Sequence, residues 1–269
     1  LFRLTARYTG ADRRLKPGSY KLQTGMPVRQ LLRELESGAP SLGAKVAIPE
    51  GFAIWQIAER LEAAGVCSAQ EFLAYAAKNK LEGYLFPTTY YFEPKSGVEK
   101  TVARMRQEFE KRIQAEYEAQ NPKPKLNLHQ LVTLASIVER EAVLTHEKPT
   151  IAAVYLNRMR IRMRLEADPT VQYGLGFWKK GLRERDLRSP SPYNTYVHYG
   201  LPPGPICNPG VDSFRAAMNP AQTDAIYFVA DNTGGHIFSS THDEHLKAKA
   251  SFKRGLKLIK DRLRREGKL

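Results

Sequence analysis

Leu131-Val132-Thr133-Leu134-Ala135-Ser136-Ile137-Val138-Glu139-Arg140-Glu141-Ala142 is the stretch on which the reading of this chain turns. Its apolar residues at 131, 134, 135, 138 and 142 follow the i, i+3, i+4, i+7 rule of a helix with one face in a core. At about 100° per residue, Glu139 lies about 80° to one side of that stripe and Glu141 about 80° to the other. The two carboxylates therefore point roughly 160° apart, too far to share one short cleft. A carboxyl at the edge of an apolar face is partly desolvated, which raises its pKa, and a carboxyl that keeps its proton near neutrality can act as a general acid. The bland reading is two solvated helix glutamates beside Arg140, and helix geometry alone does not choose between them.

Downstream of this helix the chain turns into dense polar loops. Asp168-Pro169-Thr170-Val171-Gln172-Tyr173-Gly174 comes first, then Ser189-Pro190-Ser191-Pro192-Tyr193-Asn194-Thr195-Tyr196, then Gly200-Leu201-Pro202-Pro203-Gly204-Pro205 and Asn208-Pro209-Gly210. Proline and glycine fix the backbone of such loops. Their Tyr, Asn, Thr and Gln side chains set neutral donors and acceptors beside aromatic faces. That mixture suits a sugar, which offers hydroxyls, an amide and apolar ring faces but little charge. Asp168, just before Pro169, also fits a helix cap. Ala225–Ala230 reads as a buried strand with 235–239 as its hairpin partner, and His236 and His245 read as structural histidines.

Upstream, a strand–helix pattern occurs twice. Tyr20-Lys21-Leu22 reads as a strand before a stripe at Val28, Leu31, Leu32 and Leu35. Val46-Ala47-Ile48 repeats it before Ile54, Ile57, Ala58 and Leu61. The two units are expected to share a sheet. A helix over 69–78 follows, then the aromatic run 81–92, in which Glu82 is a third candidate carboxylate, open between a turn hydrogen bond and a substrate role. A long polar helix spans 98–120 and a proline loop 121–124. The fold class is α+β.

The chain has 269 residues, 42% of them hydrophobic, enough for a sizeable core in one or two domains. Its net charge of +14 favours an anionic neighbour. The densest basic run lies in the last helix, from Lys253 to Lys268. No zinc-finger spacing, RNA-recognition signature or recognition helix is present, so nucleic acid is not the expected partner. Cys67 and Cys207 stand far apart, with no metal-ligand spacing, and are read as two buried free thiols, with a disulfide in an oxidising compartment as the alternative. No run of about 18 apolar residues exists to span a membrane.

Taken together, Ser136-Ile137-Val138-Glu139-Arg140-Glu141, Asn157-Arg158, Arg164-Leu165 with Asp168-Pro169-Thr170-Val171, Tyr193-Asn194-Thr195-Tyr196, Gly200-Leu201-Pro202-Pro203-Gly204, Phe228-Val229-Ala230-Asp231 and Gly234-Gly235-His236 closely resemble the endolytic murein transglycosylases of the MltG/YceG-like family. The match is ordered along about half the chain. The N-terminal third matches more loosely, through Pro17-Gly18-Ser19-Tyr20, Pro49-Glu50-Gly51 and Glu82-Gly83-Tyr84-Leu85-Phe86-Pro87.

The resemblance implies a LysM-like N-terminal domain over 1–95, open between a glycan-binding module and a structural platform, and a mostly helical catalytic domain with a small sheet over 96–269. It implies cleavage of the bond between N-acetylmuramic acid and N-acetylglucosamine inside peptidoglycan strands, leaving 1,6-anhydro ends, with no cofactor and no metal. The family's catalytic residue falls on Glu141, with Glu139 supporting it or standing as the alternative. Tyr193, Asn194 and Thr195, then Asp168 and Gln172, are the expected substrate contacts. The resemblance also implies an upstream single-pass anchor in the bacterial inner membrane, a body facing the periplasm, and peptidoglycan synthases (penicillin-binding proteins) as partners. Two rivals remain: a muramidase that cleaves with water, and a non-catalytic wall-binding scaffold.

Overall fold

The structure is a computed structural model and describes residues 1–17, 20, 22–38, 43–179 and 181–266. The expected strand at 20–22 and the motif at 17–20 fall partly outside these residues, at Lys21 and at Gly18 and Ser19, and Tyr20 and Leu22 lie in no strand. The helix of the first repeat, Val28–Ser37, forms as its stripe predicts, after a short helix at Phe2–Tyr8. Strand Ala44–Ala47 pairs antiparallel with Thr89–Phe92, Ala44 opposite Phe92. The sheet expected between the two repeat units is thus replaced by one with the aromatic run. Tyr90 and Phe92 point inward on alternate positions and stack at 5.3 Å, which gives that run the larger apolar face to bury.

Helices Ile54–Ala63 and Ala69–Lys78 cover this sheet. Ile57, Leu61, Phe72, Leu85 and Tyr90 form the core of the unit. The polar helix of 98–120 begins as Val98–Phe109 and passes through a π turn at Glu110–Gln114. Val102 and Met105 pack in this N-terminal core, whereas Phe109 packs in the next one. The helix that follows the expected boundary at 95 therefore joins the two cores.

The second core is built around helix Leu128–Glu141. Asn127 and Gln130 start it with a reciprocal pair of side-chain-to-backbone hydrogen bonds, 2.9 and 3.0 Å long. Leu131 to Val138 are buried without a break, so the helix is enclosed all round and not along a single stripe. Helices Lys148–Arg160 and Val211–Met218 flank it. The 200–210 loop closes the remaining side: Ile206 N donates to Ser136 Oγ at 3.0 Å, and Ser136 Oγ donates in turn to Thr133 O at 2.7 Å. The two hydroxyl residues thus enter the core with partners in place. The hairpin Tyr227–Ala230 with His236–Ser239 and the long helix His242–Arg265 complete the body.

Two close approaches depend on glycine. Gly83 has φ +86°, and a Cβ there would lie 2.5 Å from the Pro205 ring and 2.9 Å from Val132. Gly210 leaves room for the carboxylate of Glu50, which a Cβ would meet at 2.0 Å.

Glu139 is locked into this framework. Its carboxylate takes Lys148 Nζ at 3.2 Å, Gly210 N at 2.9 Å and Ser213 Oγ at 2.6 Å, so it ties all three central helices together. Both members of the ion pair are over nine-tenths buried. Removing one partner of such a pair strands the other charge, at a cost of about 3–5 kcal/mol. Glu139→Ala is therefore expected to lower the thermal midpoint strongly, and Glu139→Gln, which keeps an acceptor for Gly210 and Ser213, less so. Equal midpoints for wild type and Glu139→Ala by calorimetry would remove the clamp from the account. Gly83→Ala is expected to destabilise by more than about 1 kcal/mol, because strain and clash both oppose it, as measured by denaturant titration.

Candidate active site

Glu141 closes the last turn of the central helix and faces away from the Glu139 clamp, as the angular argument requires. It lines a cavity of about 250 Å³ with Tyr155, Arg158, Asp168, Tyr196 and His245 among its walls. Tyr155 OH donates to Glu141 Oε1 at 3.1 Å. The Tyr155 ring is fixed by burial and by an edge-on contact with Phe228, 5.8 Å between centroids. Across the cavity Tyr196 OH donates to Asp168 Oδ1 at 2.7 Å.

Among the described residues Glu141 makes no salt bridge. Desolvation is the largest influence on its carboxyl. The Tyr155 hydrogen bond opposes it, the Asp168 charge adds to it, and Arg158 and Arg140 oppose it from a distance. The net result is a pKa pushed up to about 7. Such a group is divided between acid and base near neutral pH, the condition for giving and taking a proton in one cycle.

Arg158 is held elsewhere. Its Nε donates to Ile226 O at 2.7 Å and its guanidinium to Leu165 O at 2.6 Å, so it braces the strand and loop that form the cavity wall. His245 is buried on the wall, with Nδ1 lacking a hydrogen-bond partner among the described residues. Burial and the cations Lys249 and Arg158 lower its pKa, which favours the neutral ring.

The other expected contacts divide. Asp168 lines the Glu141 cavity, but it is the first residue of helix Asp168–Leu175 and Ala167 is the cap, so the capping role is corrected. Asn194 and Thr195 are almost wholly buried. Asn194 Nδ2 donates to Leu187 O and Ser189 O, and its Oδ1 accepts from Tyr196 N. Thr195 Oγ1 bonds Thr170 and Ala167 N. Their side chains shape the loop that presents Tyr196, and the expectation that they touch substrate gives way to that role. Gln172 accepts from Lys179 N. Tyr193 lines a different cavity, with Trp55, Tyr173 and Glu82.

Tyr155, Tyr196 and His245 are the cavity residues that sequence reading underweighted. Tyr196 sat inside a quoted motif; Tyr155 lies four residues past Ile151 in a helix whose pattern reads only as packing. Of the histidines, His236 is structural: its Nδ1 meets Glu147 Oε2 at 2.7 Å. Cys67 and Cys207 are free thiols; Cys207 is buried and Cys67 half-buried.

The YceG-like family model matches residues 1–251. The endolytic murein transglycosylase of Bacillus subtilis is 33% identical over 93% of this chain and 76% of its own length. That of Streptococcus pneumoniae (strain D39) is 30% identical over 86% of this chain, which spans 49% of the pneumococcal protein. The crystal structure of a yceG-like protein from Listeria monocytogenes superposes with a TM-score of 0.70 at 36% identity, covering 91% of this chain and 89% of that one. By family model, by sequence and by fold, this chain belongs to the YceG-like family.

Proposed function

We propose that this protein is an endolytic peptidoglycan transglycosylase whose acid and base are both Glu141. The observation that carries the proposal is one carboxyl, in a cavity, held by a single tyrosine hydroxyl and raised by burial to about 7, in a family whose named relatives are endolytic murein transglycosylases. Protonated Glu141 gives its proton to the glycosidic oxygen between N-acetylmuramic acid and N-acetylglucosamine. The bond from the muramyl anomeric carbon to that oxygen breaks, assisted by the muramyl N-acetyl oxygen. The ionised Glu141 then takes the proton from the muramyl 6-hydroxyl, whose oxygen bonds the anomeric carbon and releases the acetamido group. The product is a 1,6-anhydro end. No water is consumed, and Glu141 ends the cycle protonated as it began.

Glu139 does not share this work. Its carboxylate is saturated by Lys148, Gly210 and Ser213 and lies on the other side of the helix. Tyr155 positions the Glu141 carboxyl, and the Tyr196–Asp168 pair shapes the facing wall. Asp168 in the same cavity is what favours the second reading, a muramidase in which a second carboxylate activates water. The strands cut would be nascent ones, beside the synthases that extend them, with the body in the periplasm and an anchor upstream in the inner membrane. The +14 charge supports such a place, next to anionic lipid and stem-peptide carboxylates.

Purified peptidoglycan digested with wild type should yield internal fragments with anhydro ends, read by mass spectrometry. Glu141→Gln should lose at least about 10²-fold in rate, the usual share of a general acid–base group, while folded Glu139→Gln keeps activity. Reducing ends would replace the transglycosylase with the muramidase, and cleavage intact in Glu141→Gln would remove Glu141 from the mechanism.

The first step needs the protonated carboxyl, so kcat/KM should fall as pH rises through about 7. Tyr155 favours the ionised form by donating to it. Tyr155→Phe should therefore move this alkaline limb to higher pH, besides lowering the rate. A limb unmoved in Tyr155→Phe would assign the ionisation to another group.

A further inference from the structure

The last helix, His242–Arg265, runs on past the hairpin that it packs against. Its first turns are well held. His245 and Ala248 are buried, and the His245 ring stacks on Tyr227 of the hairpin at 4.7 Å. Asn232, in the hairpin turn, donates from Nδ2 to Phe252 O at 3.1 Å. Gly255 lets that amide lie close, since a Cβ there would meet Nδ2 at 2.5 Å. Beyond Gly255 the support stops: Leu256, Lys257, Leu258, Ile259 and Lys260 are exposed without a break. This segment lies past residue 251, where the match to the family model ends.

The uncovered segment keeps the apolar side of the helix. At about 100° per residue, Phe252, Leu256, Ile259 and Leu263 fall within about 60° of one another, on the side that carries His245 and Ala248 into the body. The stripe that packs on the hairpin therefore continues into solvent, with Leu256 37% and Ile259 43% exposed. Around it the charge is nearly all of one sign. Residues 252–265 hold seven lysines and arginines and one acidic residue, Asp261. Lys253 and Lys260 border the stripe on one side, and Arg262, also paired with Glu266, borders it on the other. Such side chains can lay their methylene stems along an apolar face and keep the charge at its rim.

We infer that the end of this helix, from Phe252 to Arg265, lies on the surface of a bilayer of anionic lipid, with the Leu256–Ile259 stripe in the headgroup–acyl boundary and the cations on the phosphates. An apolar stripe beside a strongly cationic face is the form of a helix that lies in the plane of a membrane surface. Each basic side chain near an anionic leaflet adds an attraction that salt screens. A nucleic acid or a soluble acidic polymer would satisfy the charge and leave the stripe in water, so the stripe is what selects lipid. The contact is separate from the upstream membrane anchor proposed above and from the reaction at Glu141, and it rests on neither. It still bears on the reaction. His245 and Lys249, on the same helix, line the Glu141 cavity, so a helix laid on the bilayer at its far end sets how that cavity faces the surface.

The full chain is sedimented with vesicles of phosphatidylcholine and phosphatidylglycerol, and with vesicles of phosphatidylcholine alone, with a DNA duplex as competitor. It should sediment with the anionic vesicles, stay in solution with the neutral ones, and be released as salt rises. Leu256→Ser with Ile259→Ser, at two exposed positions, should weaken vesicle binding at least about tenfold, the scale of two aliphatic side chains withdrawn from an apolar phase. Leu258→Ser removes a side chain more exposed still, at 68%, but set about 100° off Ile259, and should leave binding within about twofold. Lys257→Glu with Lys260→Glu should abolish the preference for anionic vesicles. No sedimentation with anionic vesicles at low salt overturns the inference. So does a double serine protein of unchanged thermal midpoint that binds as wild type does, or a loss in Leu258→Ser as large as in the double variant, since either removes the stripe from the contact. DNA that displaces the vesicles, bound equally well by the serine variants, also overturns it and assigns the basic face to nucleic acid.

Discussion

The structure depends on a helix buried on all sides whose last turn carries two carboxylates. Leu131 to Val138 admit no water, so whatever follows at the end of that helix begins in a partly desolvated setting. The two glutamates meet that constraint in opposite ways. Glu139 is given a lysine, a backbone N–H and a hydroxyl, and stays a charge-paired fastener. Glu141 is given one neutral hydroxyl and a cavity, and its proton is held to about pH 7. Two residues apart in sequence, they differ in chemistry because the helix turns one toward Lys148 and the other toward Tyr155.

The same principle of few but committed polar groups joins the N-terminal unit to the body. Asn208 is the link: its side chain gives Nδ2 to Phe52 O and Glu82 Oε1 and takes Leu85 N, while its backbone bonds Gly51 and Phe52. Every bond crosses between chain segments more than a hundred residues apart. Buried polar groups in such a junction are costly when unpaired, so the pairing of Asn208 favours one relative arrangement of the two units. Arg140 adds to it from the central helix, with its guanidinium 4.1 Å over the Trp178 ring. A residue that the sequence shows only as a neighbour of the two glutamates is in fact part of the joint.

Much of this was legible in the sequence. The central helix, its angular separation of Glu139 from Glu141, the 69–78 helix and the hairpin after residue 226 all follow from local periodicity and turn chemistry. What was not legible depended on distant partners. The strand at 44–47 chose the aromatic run at 89–92, a decision made by which faces bury the most area. Asn194 and Thr195 have the composition of ligand contacts, yet the loop consumes their hydrogen bonds. Polar residues in a glycine- and proline-rich loop serve either purpose, and burial alone tells them apart. Tyr155 was hidden for the opposite reason, since an aromatic residue on a packed helix signals core until its hydroxyl is seen to reach a carboxylate.

Holding Glu141 and Glu82 in this state has a thermodynamic consequence. Burial raises both above the ordinary carboxylate value, to about 7 and about 8. The unfolded chain releases these protons near pH 4.5, so between that point and the folded values the native state binds more protons than the unfolded one. Stability then falls as pH rises across this window and levels off above it. At Glu82 that cost goes with the joint between units, where the carboxyl meets Ile54 N, Tyr173 OH and Asn208 Nδ2. At Glu141 the same cost leaves a carboxyl that is still largely protonated near neutral pH. A cation placed beside Glu141 would recover the loss and hold the group ionised, as Lys148 holds Glu139, and with it would go the capacity to donate a proton. The absence of such an ion pair among the described residues at the one glutamate, and its presence at the other, is the clearest physical division of labour in the molecule.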